Sequence, residues 1–175
     1  MSANLLNTKL EFATTVVQKA GVFIKQHLSD DLEISEKTHF DDLVTNVDRE
    51  VQDQILTQIQ STFPGDSVLA EENDVRHDIS DGNVWVLDPI DGTTNFIVQR
   101  DNFAVMLAYY EDGVGKIGVI LDVMNDNLYW GDGTSAYKNE TQIHLTVKPL
   151  RQSLIGVNTY MYRTNAGGLL DLSHE

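Results

Sequence analysis

The chain has 175 residues, 41% of them apolar and none of them cysteine, with a formal net charge of -15. That length and apolar share suit one domain with a real core and exclude a chain disordered throughout, while the lack of cysteine excludes disulfides, thiolate metal sites and a thiol nucleophile. The acidic balance makes nucleic acid a poor partner, because a phosphate backbone exchanges its counterions for Lys and Arg, and no apolar run approaches the length of a membrane span.

The N-terminus MSANLLNTKLEF has neither the basic start nor the apolar stretch of a secretory leader, so a cytoplasmic setting is expected. Residues 5–28 read as a helix: Leu6, Leu10, Ala13, Val17, Ala20, Ile24 and Leu28 recur at steps of three or four and form one apolar stripe, with the polar residues between them on a solvent face. Residues 29–42 read as loop or short strand. A second helix follows on Val44, Val47, Val51, Ile55, Ile59 and Phe63, and Pro64-Gly65 stops it. Thr45 with Asp48 three residues on fits an acidic variant of the capping box.

From about residue 66 the period shortens to that of strands. Apolar runs fall at 68–70, 84–87, 103–110, 116–121, 128–130, 136–138 and 143–147, with Asp112-Gly113 and Asp126-Asn127 placed as hairpin turns. Two helices ahead of an antiparallel meander give an α+β fold in which the helices pack on a mainly antiparallel sheet. A last strand is read at 157–162, before the segment TNAGGLLDLSHE. Residues 1–175 read as a single domain.

The most informative stretch is WVLDPIDGTTNF, residues 85–96. Asp88 ends a buried strand, Pro89 biases it toward extended geometry, and Gly92 lets a ligand approach the backbone. Thr93 and Thr94 can open a short helix whose free amides hold phosphate oxygens. Asp88 and Asp91 stand three apart around a rigid bend and can face one spot, and the Ile90 carbonyl adds a hard oxygen suited to magnesium. An Asp-Pro turn followed by a helix cap explains the same letters without chemistry. Taken singly, Glu71 and Glu72 fit an exposed loop, and Asp48 fits a cap. Most of the acidic charge fits solvated surface, and a smaller part fits carboxylates gathered for divalent cations, which reverse the local field once bound. The five histidines are scattered and read as surface or core.

Taken together, the segments DLVTNVD, AEEN and WVLDPIDGTTNF, in this order after an opening helix, closely resemble the inositol monophosphatase family of magnesium-dependent, lithium-sensitive phosphatases. The resemblance implies a layered α/β sugar-phosphatase sandwich and Mg2+ as cofactor. It matches Glu71, Asp88, the carbonyl of Ile90 and Asp91 to metal ligands, with Asp88 bridging. It matches Thr93, paired with Asp48, to activation of the attacking water, and the amides of Gly92, Thr93 and Thr94 to a phosphate cradle. Glu72 corresponds to an outer-shell residue and Lys37 to a basic residue on the loop before the second helix. Glu71, Asp48 and Thr93 are thus the expected catalytic residues. The implied reaction is direct attack of water on a small phosphorylated metabolite, nominally inositol monophosphate, with no covalent enzyme intermediate. Related enzymes of the fold take fructose 1,6-bisphosphate or 3′-phosphoadenosine 5′-phosphate. Family members are commonly homodimers, so a homodimer is a further expectation.

One departure accompanies the match. The family's later tryptophan-aspartate motif, which supplies another metal ligand, has no counterpart here: both tryptophans, Trp85 and Trp130, lie elsewhere. A chain lacking the C-terminal segment is the expectation, with an inactive metal- or phosphate-binding fragment as the non-enzymatic alternative. A haloacid-dehalogenase-type phosphatase is a weaker rival, since its aspartates stand two apart rather than three.

Overall fold

The long opening helix, α1 (Ala3–Gln26), buries Ala13, Val16, Val17, Ala20 and Ile24. The computed structural model describes residues 3–29, 31–36, 43–72, 76–144 and 146–153, so the expected strand at 157–162 and Lys37 lie outside the described residues. Two compact units divide the chain, residues 1–143 and 144–175.

In the first unit β1 (Ile34–Glu36) pairs antiparallel with β2 (Leu43–Thr45) as a separate two-stranded sheet. Helix α2 (Asn46–Thr62) follows at once, capped by Thr45, and buries Val47, Val51, Ile55 and Ile59. Val44, expected in this helix, instead ends up buried in β2. Apolar spacing of three residues also fits the step from a strand into a helix, and the cap at Thr45 decides where the helix begins.

Among the described residues the main sheet has seven strands in the order β3 (Ser67–Ala70), β4 (Asn83–Asp91), β5 (Ala104–Glu111), β6 (Val114–Asp122), β7 (Asn127–Gly131), β8 (Ala136–Lys138) and β9 (Thr141–Ile143). Helix α3 (Thr93–Gln99) lies between β4 and β5 in the chain. All pairs are antiparallel except β3 with β4, which run parallel. The mainly antiparallel α+β architecture therefore stands. The strand expected at 143–147 ends instead at Ile143, because its partner β8 offers no residue before Ala136, which pairs with Ile143. Asp112 and Gly113 both take positive φ, 47° and 77°, the backbone that a tight hairpin requires.

One face of the sheet, with Trp85, Leu87, Val105, Leu107, Tyr109, Ile117, Val119 and Leu121, is buried against α1 and α2. Burial of apolar area on this face is the main source of stability. Lys9, expected on the solvent side of α1, is only 1% exposed. It is paired with Asp66, and its ammonium stands 3.8 Å from the centroid of the Tyr109 ring. Asp66 also accepts a hydrogen bond from Trp85 Nε1 at 2.8 Å. A buried charge survives in this way only when paired and hydrogen-bonded. Burial lowers the Lys9 pKa from its ordinary value, while Asp66 and Glu111 oppose the shift. The opposite face of the sheet holds an open depression of about 480 Å3, walled by Leu69, Val86, Met106, Ala108 and Ile120 and rimmed by Glu71 and Asp88. In the second unit, the described residues contain one short 3-10 turn, Leu150–Gln152.

Candidate active site

Asp48 sits in the first turn of α2, where the capping box forms as the sequence implies. The Thr45 amide donates to Asp48 Oδ2 at 3.0 Å, the Asp48 amide donates to Thr45 Oγ1 at 3.3 Å, and the Thr45 hydroxyl also bonds Oδ2. The second carboxylate oxygen is left for another partner. Thr93 Oγ1 lies 3.1 Å from Asp48 Oδ1 and 2.9 Å from the carbonyl oxygen of Ile90. Because a hydroxyl carries one proton, Thr93 can donate to only one of these at a time. Three residues named from sequence, Asp48, Thr93 and Ile90, thus meet at one point although 45 positions separate Asp48 from Thr93.

Asp48 is 1% exposed. Burial raises its pKa above the ordinary carboxylate value, and the hydrogen bonds from Thr45 and Thr93 work against that rise without cancelling it. A buried carboxyl that favours its protonated form more than usual is suited to taking up a proton.

The backbone of β4 explains how this meeting is made. Asp88 pairs with Met106, and the next registered pair is Asp91 with Ala104, so the strand is irregular between Asp88 and Asp91. Such a bulge bends the strand and re-aims its side chains. Gly92 then takes φ 87° and caps α3. A Cβ there would lie 3.1 Å from the Asn102 carbonyl oxygen, so glycine is required on both conformational and steric grounds. Thr93 opens α3, with Thr94 next to it and exposed. Amides in a first helical turn have no acceptor within their own helix.

Glu71 directly follows β3, and its amide donates to the Leu87 carbonyl at 3.2 Å, which carries the parallel pairing one step beyond the strand. Its backbone therefore lies beside the end of β4 that holds Asp88. Glu71 and Asp91 are exposed, Asp88 is half-buried and Glu72 is buried. Among the described residues no group of three or more His, Cys, Asp or Glu side chains is arranged to hold a metal ion. The donors fit a hard divalent cation in kind, since they are carboxylates on neighbouring strand ends and a main-chain carbonyl, all of them oxygen. The register supplies the neighbourhood of Glu71 and Asp88 rather than a three-carboxylate cluster.

Sequence reasoning did not single out Gln52. Its side-chain amide bonds the main chain of Glu72 in both directions, donating to the carbonyl at 2.7 Å and accepting from the amide at 2.9 Å. The available signal was a polar residue one turn after Asp48, next to Val51 in the apolar stripe.

Comparisons with known proteins identify the family. The model of the inositol monophosphatase family matches residues 6–167. The inositol-1-monophosphatase of Bacillus subtilis is 43% identical over 148 residues, which is 83% of this chain and 54% of that protein. The fructose-1,6-bisphosphatase/inositol-1-monophosphatase of Thermotoga maritima is 33% identical, over 85% of this chain and 57% of that protein. Among solved structures, a staphylococcal IMPase-II bound to inositol monophosphate superposes with a TM-score of 0.72 at 40% identity, over 86% of this chain and 55% of that one. The chain spans about half the length of the curated relatives it matches. It belongs to the inositol monophosphatase family.

Proposed function

We propose that the protein is a magnesium-dependent phosphomonoesterase that hydrolyses a small phosphate monoester, with inositol monophosphate as the nominal substrate. The observation that carries this reading is the meeting of Thr93 with Asp48 and the Ile90 carbonyl beside the strand ends of Glu71 and Asp88. The names of the relatives supply the substrate class: one is an inositol-1-monophosphatase, and another adds fructose-1,6-bisphosphatase.

Glu71, Asp88, the Ile90 carbonyl and Asp91 are the residues to hold Mg2+, which when bound supplies positive charge at the phosphoryl group and makes a nearby water more acidic. Thr93 Oγ1 orients that water and passes its proton toward Asp48 Oδ1, whose raised pKa suits it to receive one. The water oxygen forms a bond to phosphorus as the ester oxygen leaves and takes up a proton from solvent, giving inorganic phosphate and an alcohol. The amides of Gly92, Thr93 and Thr94 bind phosphoryl oxygens, and Gly92 permits the close approach. Glu72 contributes as an outer-shell residue, and Lys37 is assigned a covering role. With a net charge of -15, the protein repels a phosphate ester until cation charge is present. A cytoplasmic homodimer, inhibited by lithium, fits the same reading.

The test is release of inorganic phosphate from inositol 1-phosphate and from fructose 1,6-bisphosphate, each with Mg2+ and after chelation. The reading requires release that depends on Mg2+ and is faster with the inositol ester. Mg2+ binding without any turnover would favour the alternative of a metal- and phosphate-binding module.

A further inference from the structure

The proposed chemistry needs Glu71, on the loop after β3, held in register with Asp48, on α2. A loop carboxylate does not hold such a position unless its neighbours fix the backbone. On one side, the Glu71 amide is tied to Leu87 of β4 at 3.2 Å. On the other side, Gln52 ties Glu72 to α2 through the two hydrogen bonds of 2.7 and 2.9 Å. Gln52 is 0% exposed, and the main chain it meets belongs to a residue that is itself 4% exposed. Buried and bonded on both atoms, this amide acts like one more strand residue paired to the loop. It also sits four residues after Asp48, one turn along the same helix.

We propose that Gln52 is a positioning residue which locks the Glu71-Glu72 loop to the helix that carries Asp48, so that the metal-holding carboxylate and the proton acceptor share one rigid support. Among the described residues, Gln52 bonds the backbone of Glu72 and acts on Glu71 through it. This rests on the reading of Glu71 as a metal ligand. Any buried glutamine must find hydrogen-bond partners, but an apolar residue at this point of the α2 stripe would pack as well and would leave the loop untied.

The experiment compares four forms of the full chain: wild type, Gln52→Met, Gln52→Glu and Ile59→Ala. Mg2+ affinity is measured by calorimetric titration, and stability by thermal unfolding. Ile59→Ala opens the core on the same helix two turns away and serves as the stability control. Gln52→Met should weaken Mg2+ binding by about tenfold, the usual scale for loss of a residue that supports a metal ligand, while Ile59→Ala leaves it unchanged. Gln52→Glu keeps an acceptor for the Glu72 amide and should lose less, and it carries the test if Gln52→Met does not fold. Equal affinities in wild type and both Gln52 variants, or an equal loss in Ile59→Ala, would overturn the proposal. A wild-type chain that takes up no Mg2+ would instead overturn the phosphatase reading on which it rests.

Discussion

The two halves of the proposed site are built in different ways. The Asp48–Thr93 half is closed by hydrogen bonds among Thr45, Asp48, Thr93 and Ile90, whereas the Glu71–Asp88–Asp91 half is brought near by strand register and is not gathered into a three-carboxylate group. The first half draws on the chain's own donors and acceptors: a cap, a helix end and a carbonyl. The second would set like charges side by side, a Coulomb cost that a bound cation would offset. The first half is thus fixed by hydrogen bonds among described side chains, and the second by the pairing of neighbouring strands.

Each half can be broken separately. The largest effect is expected from Asp91→Asn, which removes metal-holding charge and should lower turnover by at least about a hundredfold; near-normal kcat would remove Asp91 from the carboxylate half. Thr93→Ala should leave thermal stability within about 1 kcal/mol and still lose roughly a hundredfold in activity, with Mg2+ affinity retained. Unchanged kinetics would reduce Thr93 to a helix-opening residue.

The smallest effect is also the most specific to the closed half. Burial raises the Asp48 pKa in the folded state, so the associated stability is present below the unfolded carboxylate pKa and is lost as pH rises through the folded one. Asp48→Asn cannot titrate. Its thermal stability should gain on the wild type as pH climbs from strongly acidic toward neutral, while its activity falls. A wild-type curve parallel to that of Asp48→Asn over this range would contradict the buried, raised carboxyl.

How far the sequence could be read follows the same division. Local signals carried well: the Thr45–Asp48 capping box formed, and the DPIDG stretch became the irregular end of β4 and the turn into α3. Hairpin turns at Asp112-Gly113 declared themselves through residues that accept positive φ. Features that depend on distant partners did not show. The parallel pairing of β3 with β4 is a matter of register between segments 17 residues apart, for which a single strand carries no letter. Lys9 looked like a solvated helix residue because its partner Asp66 and its aromatic neighbours lie 54 to 100 positions further on. Gln52 was hidden for a similar reason, since its partner is the main chain of Glu72 and leaves no mark on the sequence.

The most direct test of the central claim is a crystal of the chain grown with Mn2+ and read by anomalous scattering. The account predicts a peak within about 2.0–2.3 Å of oxygens from Glu71, Asp88 and the Ile90 carbonyl, with Asp91 ligating at the same centre or an adjoining one. A peak elsewhere on the surface, with those carboxylates turned to solvent, would contradict it.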